Sequence, residues 1–474
     1  MHFQRALLPL FALAIPAACS GDSTSPGQVP GSVSMILDTL DYGDTAAVNI
    51  IVRDQSGAQM TGFPIQSFVL ASSDPRIAEV DQGAMTVVGV GLGDATITAR
   101  YGDLEASGVL PVRLGYAPAQ KLTAGSDHTC ILDDHGAAWC WGGGSYGRLG
   151  DGNEKDAAHP VAVAGGHSFS SIVAGYFHTC AIENRSTWCW GYGLFGALGS
   201  DTTQAAVPVK VPGVPDFVQL AAGESYTCGL VYGGLVFCWG FGESGQLGRG
   251  EIGYSATSAP GMATVTAKFA RISASGAHTC ALTRLGKAYC WGEGWMGGLG
   301  TGDNEDKTVP TAVVDTLTFV DIVGGYGHTC GVDRDGRTFC WGYNEHGEIG
   351  RGTASAAEMS PVRVQSSESF SVVSQGRAGH LCGIGASDER VYCWGYNANG
   401  QVGDGSMSDA LAPRQIGTLV AKAVAAGFSH TCAVDTQNRV FCWGMNVSGQ
   451  VGNGTFGADV LTPSQMDRFA RIAF

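Results

Sequence analysis

His328-Thr329-Cys330-Gly331-Val332-Asp333-Arg334-Asp335-Gly336-Arg337-Thr338-Phe339-Cys340-Trp341-Gly342 decides how this chain folds, because seven versions of it recur along the sequence. Its first cysteine is matched at Cys130, Cys180, Cys228, Cys280, Cys382 and Cys432, in steps of 48 to 52 residues. A second cysteine follows nine to eleven residues later, always ahead of Trp-Gly, at Cys140, Cys189, Cys238, Cys290, Cys340, Cys393 and Cys442. Downstream comes a Gly-x-aliphatic-Gly element, as in Gly147-Arg148-Leu149-Gly150 and Gly449-Gln450-Val451-Gly452. Each copy then reaches a proline, at Pro160, Pro208, Pro260, Pro310, Pro361, Pro413 and Pro463. A period of this length means one supersecondary unit per copy, stacked or closed into a ring.

Within a copy, short alternating runs read as four strands. In the fourth they are Phe269 to Ala274, His278 to Leu282, Ala288 to Trp291 and, after the proline, Thr311 to Val314. The second and third are joined by a tight loop whose glycine, Gly336 in the quoted stretch, supplies a positive φ; Asn438 takes that place in the last copy. Four strands per copy and seven copies predict an all-β fold, a seven-bladed propeller over 116–474. The chain ends on Phe469-Ala470-Arg471-Ile472-Ala473-Phe474, an additional first-strand segment expected to act as a clasp.

These motifs resemble the repeats of the regulator of chromosome condensation family: His278-Thr279-Cys280-Ala281-Leu282, the left-handed glycine of the hairpin, Tyr289-Cys290-Trp291-Gly292 and Gly245-Gln246-Leu247-Gly248. The resemblance implies a seven-bladed propeller. The family name suggests guanine-nucleotide exchange, and some relatives inhibit β-lactamases by covering the active site with one propeller face. Here two strand positions per copy have become cysteine, and a basic nuclear tail is missing.

The N-terminal residues have another texture. Ala6 to Ile15 is an apolar stretch too short to span a bilayer. It leads to Pro16-Ala17-Ala18-Cys19, similar to a bacterial lipoprotein signal over 1–19 with Cys19 as the lipidated residue. A polar linker over 20–29 follows. Residues 30–113, with Ala47 to Val52, Ser72-Ser73-Asp74-Pro75 and Ala95 to Ala99, resemble a group 2 bacterial immunoglobulin-like domain, a β-sandwich spacer between anchor and propeller. The expected location is therefore the cell envelope, outside the cytoplasm.

Cysteine usage agrees with export. Setting Cys19 aside leaves fourteen cysteines in seven pairs, each pair spaced to face across a hairpin. The competing reading is a metal site from His128, Cys130 and Cys140. No Cys-x-x-Cys knuckle occurs, however, and Tyr226 replaces the histidine in the third copy, so no metal or other cofactor is expected. The repeated histidines, His128, His178, His278, His328, His380 and His430, read as hydrogen-bonding struts. The tryptophans of Trp-Gly read as packing between blades.

A formal net charge of −15 gives no footprint for nucleic acid. No catalytic constellation stands apart from the repeat, so the chain is expected to bind rather than catalyse. Recognition belongs where the copies differ, notably in the pair of residues before Gly-x-aliphatic-Gly. There Tyr146, Phe195, Trp295 and Met296 are either exposed anchors or side chains tucked under their own loops. The expected partner is a protein or polysaccharide, the expected membrane contact only the lipid anchor, and the expected state a monomer.

Overall fold

The structure is a computed structural model that describes residues 30–115, 120–251, 257–264 and 267–466. Cys19 with its signal and linker, and the Phe469 to Phe474 segment, lie outside the described residues. Each repeat forms a four-stranded antiparallel blade whose strands pair in chain order. In the fourth blade these are Phe269–Ser275, His278–Thr283, Ala288–Gly292 and Lys307–Ala312. The sixth and seventh blades share one long strand, Ala410–Ala426, which is outermost in one and innermost in the next.

One expectation is corrected. The outer strand does not start after the proline but runs through it, so that Pro310 lies inside Lys307–Ala312 and Pro361 inside Ala357–Arg363. This strand pairs on one side only, and a missing N–H directed to solvent leaves no ladder bond unmade.

All seven cysteine pairs are disulfides, from Cys130–Cys140 to Cys432–Cys442, between residues directly opposite across strands two and three. Their Cα atoms are 4.1 Å apart, which fits the closer pair type of an antiparallel ladder. With the sulfurs bonded to each other, His128, Cys130 and Cys140 do not form a thiolate metal site.

Adjacent blades are joined by one repeated set of bonds. At most seams the carbonyl of the residue after the first glycine of Gly-x-aliphatic-Gly accepts from the tryptophan and threonine of the next blade; at Gly298 it takes Thr329, while Trp341 Nε1 has no partner. Arg148 takes Trp190 at 2.9 Å and Thr179 at 3.1 Å, and Gln401 takes Trp443 and Thr431 at 2.9 Å. The same threonines meet the histidine Nε2 of the preceding blade, as His128 to Thr179 at 2.9 Å and His178 to Thr227 at 2.8 Å. The histidines are struts and the seven tryptophans are fully buried between blades, as expected. In the third blade the Tyr226 hydroxyl takes over the role, accepting from Thr279 at 3.0 Å and donating to the Ser275 carbonyl. At the fifth blade the relay breaks: the sixth carries Leu381 in place of threonine, and His328 Nε2 has no hydrogen-bond partner.

The ring is closed. His430 meets Thr129 at 2.8 Å and Trp141 donates to the Gln450 carbonyl at 3.0 Å, repeating between the last and first blades the bonds found elsewhere. Leu122, Ile131 and Trp141 share a buried cluster with Cys432, Val434, Val451 and Met466. The first blade already has four strands of its own, Leu122–Ala124 being innermost.

Residues 30–113 form a separate set of strands in small sheets around their own core, which includes Val52, Phe68, Val87, Ile97, Leu110 and Val112. This unit is docked on the propeller. Arg334 donates to the Arg76 carbonyl at 2.6 Å and accepts from the Tyr42 hydroxyl at 3.0 Å; Arg284 pairs with Asp41 at 3.1 Å; Leu114 is buried with Phe319 and Ile322. Arg284 and Arg334 sit in the hairpins between strands two and three. The N-terminal unit therefore covers the hairpin face of blades four and five.

Candidate functional site

Because the strands are antiparallel, the loops from strand one to two and from strand three to four emerge together on the face opposite those hairpins. The first loop set follows the innermost strand, so its residues ring the axis. It is built tight: a Cβ on Gly125 would lie 2.2 Å from His128 Cε1 and 2.6 Å from the Gly175 carbonyl oxygen, so only glycine fits there.

The four residues expected to bind divide between the two alternatives. Tyr146 and Trp295 are 39% and 40% exposed, while Phe195 and Met296 are partly buried. None of the three aromatics tucks beneath its own loop alone, because each leans on the next blade. The Tyr146 ring is 4.6 Å from Tyr192 and 5.9 Å from Phe177; Phe195 is 5.1 Å from Phe241; Trp295 stacks on Tyr343 at 5.3 Å. His346 continues the pattern against Tyr396 at 4.7 Å. Tyr146 and Met296 take φ of 64° and 53°, a left-handed conformation that is strained for side chains of this size. The result is a belt of aromatic edges fixed by inter-blade packing.

Sequence reasoning missed the residues that line the axis itself. Ser126, Tyr176, Glu224, Gly276, Tyr326, Arg377 and Phe428 each follow the glycine that ends the innermost strand, a position Ser275 takes in the fourth blade. Tyr326 is 48% exposed and lies 6.1 Å from Trp295, which joins the axial set to the belt. Arg377 crosses the axis: from the sixth blade its Nη2 donates to the Ala222 carbonyl of the third at 2.9 Å. Its guanidinium lies 5.5 Å from the Tyr176 ring, and Tyr176 meets Phe428 edge-on at 5.6 Å. The signal available was the variability of the pair before each histidine, which equals that of the pair before Gly-x-aliphatic-Gly.

Burial sets the charges of this face. It lowers the pKa of Arg377 and raises that of Tyr176. It also raises the Glu293 carboxyl, with Asp306 and Glu224 adding in the same direction. Glu348, fully buried at the position held elsewhere by Gln246, Gln401 and Gln450, is pushed up to about 7. Its Oε2 accepts the His346 N–H at 2.9 Å, as the glutamine Oε1 atoms accept those of Ser244, Asn399 and Ser448. A protonated Glu348 thus imitates glutamine. Among the described residues no group of three or more histidine, cysteine or carboxylate side chains is placed to hold a metal ion.

Comparison with known proteins turns on this repeat. Models of the regulator of chromosome condensation (RCC1) repeat match seven times, over 135–182, 186–230, 233–282, 286–332, 335–380, 388–434 and 437–473. The chain belongs to the RCC1 repeat family. It is 31% identical over 337 residues to the ultraviolet-B receptor UVR8 of Arabidopsis thaliana, covering 68% of this chain and 76% of the receptor. It is 27% identical over 340 residues to the human E3 ubiquitin-protein ligase HERC2, a match over 66% of this chain but 6% of the ligase. Among solved structures, Prp20p of Saccharomyces cerevisiae superposes with a TM-score of 0.64 at 23% identity, over 75% of this chain and 88% of that one, and so shares the RCC1 propeller fold.

Proposed function

We propose that this chain is an exported, disulfide-braced RCC1-type propeller that binds a protein partner through its loop face and catalyses nothing itself. One observation carries the reading: the loop face presents Tyr146, Trp295 and Tyr326 around the axis, while the N-terminal unit occupies part of the opposite face. Aromatic side chains held on rigid loops are the anchors of recognition surfaces. The reported binding of Prp20p to Gsp1p and histones makes protein the favoured class of partner. Seven cystines fit an oxidising compartment. In this reading Cys19 carries the lipid, and residues 30–113 are an immunoglobulin-like sandwich holding the propeller off the membrane.

The test is capture of envelope and culture-supernatant proteins on the soluble propeller with its N-terminal unit. Tyr146→Ala with Trp295→Ala should leave the fold intact, by far-UV circular dichroism and melting, and abolish specific capture. Unaltered capture by that variant would remove the loop face from the account.

A further inference from the structure

The sixth blade departs from its siblings at one point. Counted from the position of Gly125, which Ser275 takes in the fourth copy, six copies place two residues ahead of the histidine position; the sixth places three, Arg377-Ala378-Gly379, between Gly376 and His380. Gly379 takes φ 96°, in the left-handed region, and the lengthened loop carries Arg377 over the axis. Only 8% of Arg377 is exposed. Nη2 has its carbonyl, yet Nη1 is buried with no hydrogen-bond partner, and among the described residues Arg377 has no ion pair. Three more buried atoms around the same seam are also unpartnered: His328 Nε2, Glu348 Oε1 and Gln375 Oε1.

A buried guanidinium with an unanswered N–H is a poor device for stability, since apolar side chains of similar volume serve at least as well. The same group suits recognition, because a charge-assisted bond to a carboxylate is strong and directional where water is scarce. We propose that Arg377 receives a carboxylate borne by a partner protein, an acidic side chain or a C-terminus entering along the propeller axis between Tyr176, Tyr326 and Phe428. This rests on the loop face being the binding face.

The surroundings select the kind of partner. Glu224, Glu243, Glu293, Asp306 and Glu345 all lie on loops of this face. A uronic-acid polymer would bring further negative charge against that rim. A protein patch with one carboxylate among lysines and arginines complements both centre and rim.

The probes are an amidated peptide, acetyl-Lys-Leu-Glu-Leu-Lys, its glutamine counterpart and trigalacturonate, titrated calorimetrically into the full chain and into Arg377→Met and Arg377→Lys. The glutamate peptide should bind about tenfold tighter than the glutamine one, as loss of a charged hydrogen bond predicts. Arg377→Met should bind the two alike, and Arg377→Lys should keep part of the preference. The melting temperature of Arg377→Met should equal or exceed that of the parent. Equal affinity of the parent for both peptides, or a lowered melting temperature with peptide preference retained, makes Arg377 a strut and overturns the assignment. Tighter binding of trigalacturonate than of the glutamate peptide overturns the protein partner. Should Tyr146→Ala with Trp295→Ala abolish capture while Arg377→Met leaves capture intact, the carboxylate site fails and the loop face stands.

Discussion

Lowering the pH from about 7.5 to about 5.5 should weaken this protein steeply, through the histidines that tie blade to blade. Burial depresses the pKa of His178 and His380 to about 3 and of His278, His328 and His430 to about 4, all from 6.5. These side chains stay neutral in the folded ring and take up protons once it unfolds. Stability from a base with a depressed folded pKa is complete above 6.5 and drains away as the pH falls toward the folded value. At pH ~5.5 each such histidine has lost about 1.4 kcal/mol relative to pH ~7.5, or about 7 kcal/mol for the five. His128 shifts the same way and adds to the loss. Glu348 works in the opposite direction, since its carboxyl is raised to about 7 and holds its proton better folded than unfolded. It returns about 2 kcal/mol over the same interval, so these five histidines and Glu348 together give a loss of about 5 kcal/mol. Non-reducing urea denaturation at several pH values reads this as a slope, with an uptake of about four protons on unfolding near pH 5.5. His278→Gln should reduce that uptake by about one. A stability that is flat across the interval refutes the neutral, buried ring.

Glu348→Gln should raise stability by about 3 kcal/mol near pH 7.5 and by only about 1 kcal/mol near pH 5.5, because it removes a carboxylate whose ionisation is opposed by burial; the same gain over the parent at both pH values would contradict the glutamine-like role. Replacing Cys280 and Cys290 together by alanine should lower stability by about 2–3 kcal/mol while the other six blades keep their cystines, measured by non-reducing urea melts. Thiol titration of the unreduced, denatured parent chain should find essentially none of the fourteen paired cysteines free, and a near-complete count would place the protein in a reducing compartment.

Features that every blade shares were legible in the sequence, because repetition reports them seven times. The cysteine spacing and the tight hairpin between them fixed which sulfurs meet, and Trp190 or Trp443 could be assigned to the space between blades from alternation with the neighbouring cysteine. The histidines could be read as struts from Tyr226 alone, since a ligand does not survive that exchange but a hydrogen-bonding side chain does. Pro310 misled the placement of the outer strand, because a proline argues for a strand boundary unless the strand is known to be an edge. The axial set was invisible for a different reason. Arg377 belongs to the sixth blade, far along the chain from Tyr176 of the second and Ala222 of the third, and only closure of the ring brings it to them. The additional residue before His380 marked the spot without revealing its direction.

The docking of residues 30–113 on blades four and five gives the disc an orientation as well as a support. Contacts of Tyr42, Asp41 and Arg76 with the hairpins at Arg284 and Arg334 hold the incoming chain on one side. Anything that grips the N-terminal end therefore pulls off-centre, on two blades out of seven, and aims the opposite surface away from the point of attachment. The propeller is a dish carried on an eccentric bracket.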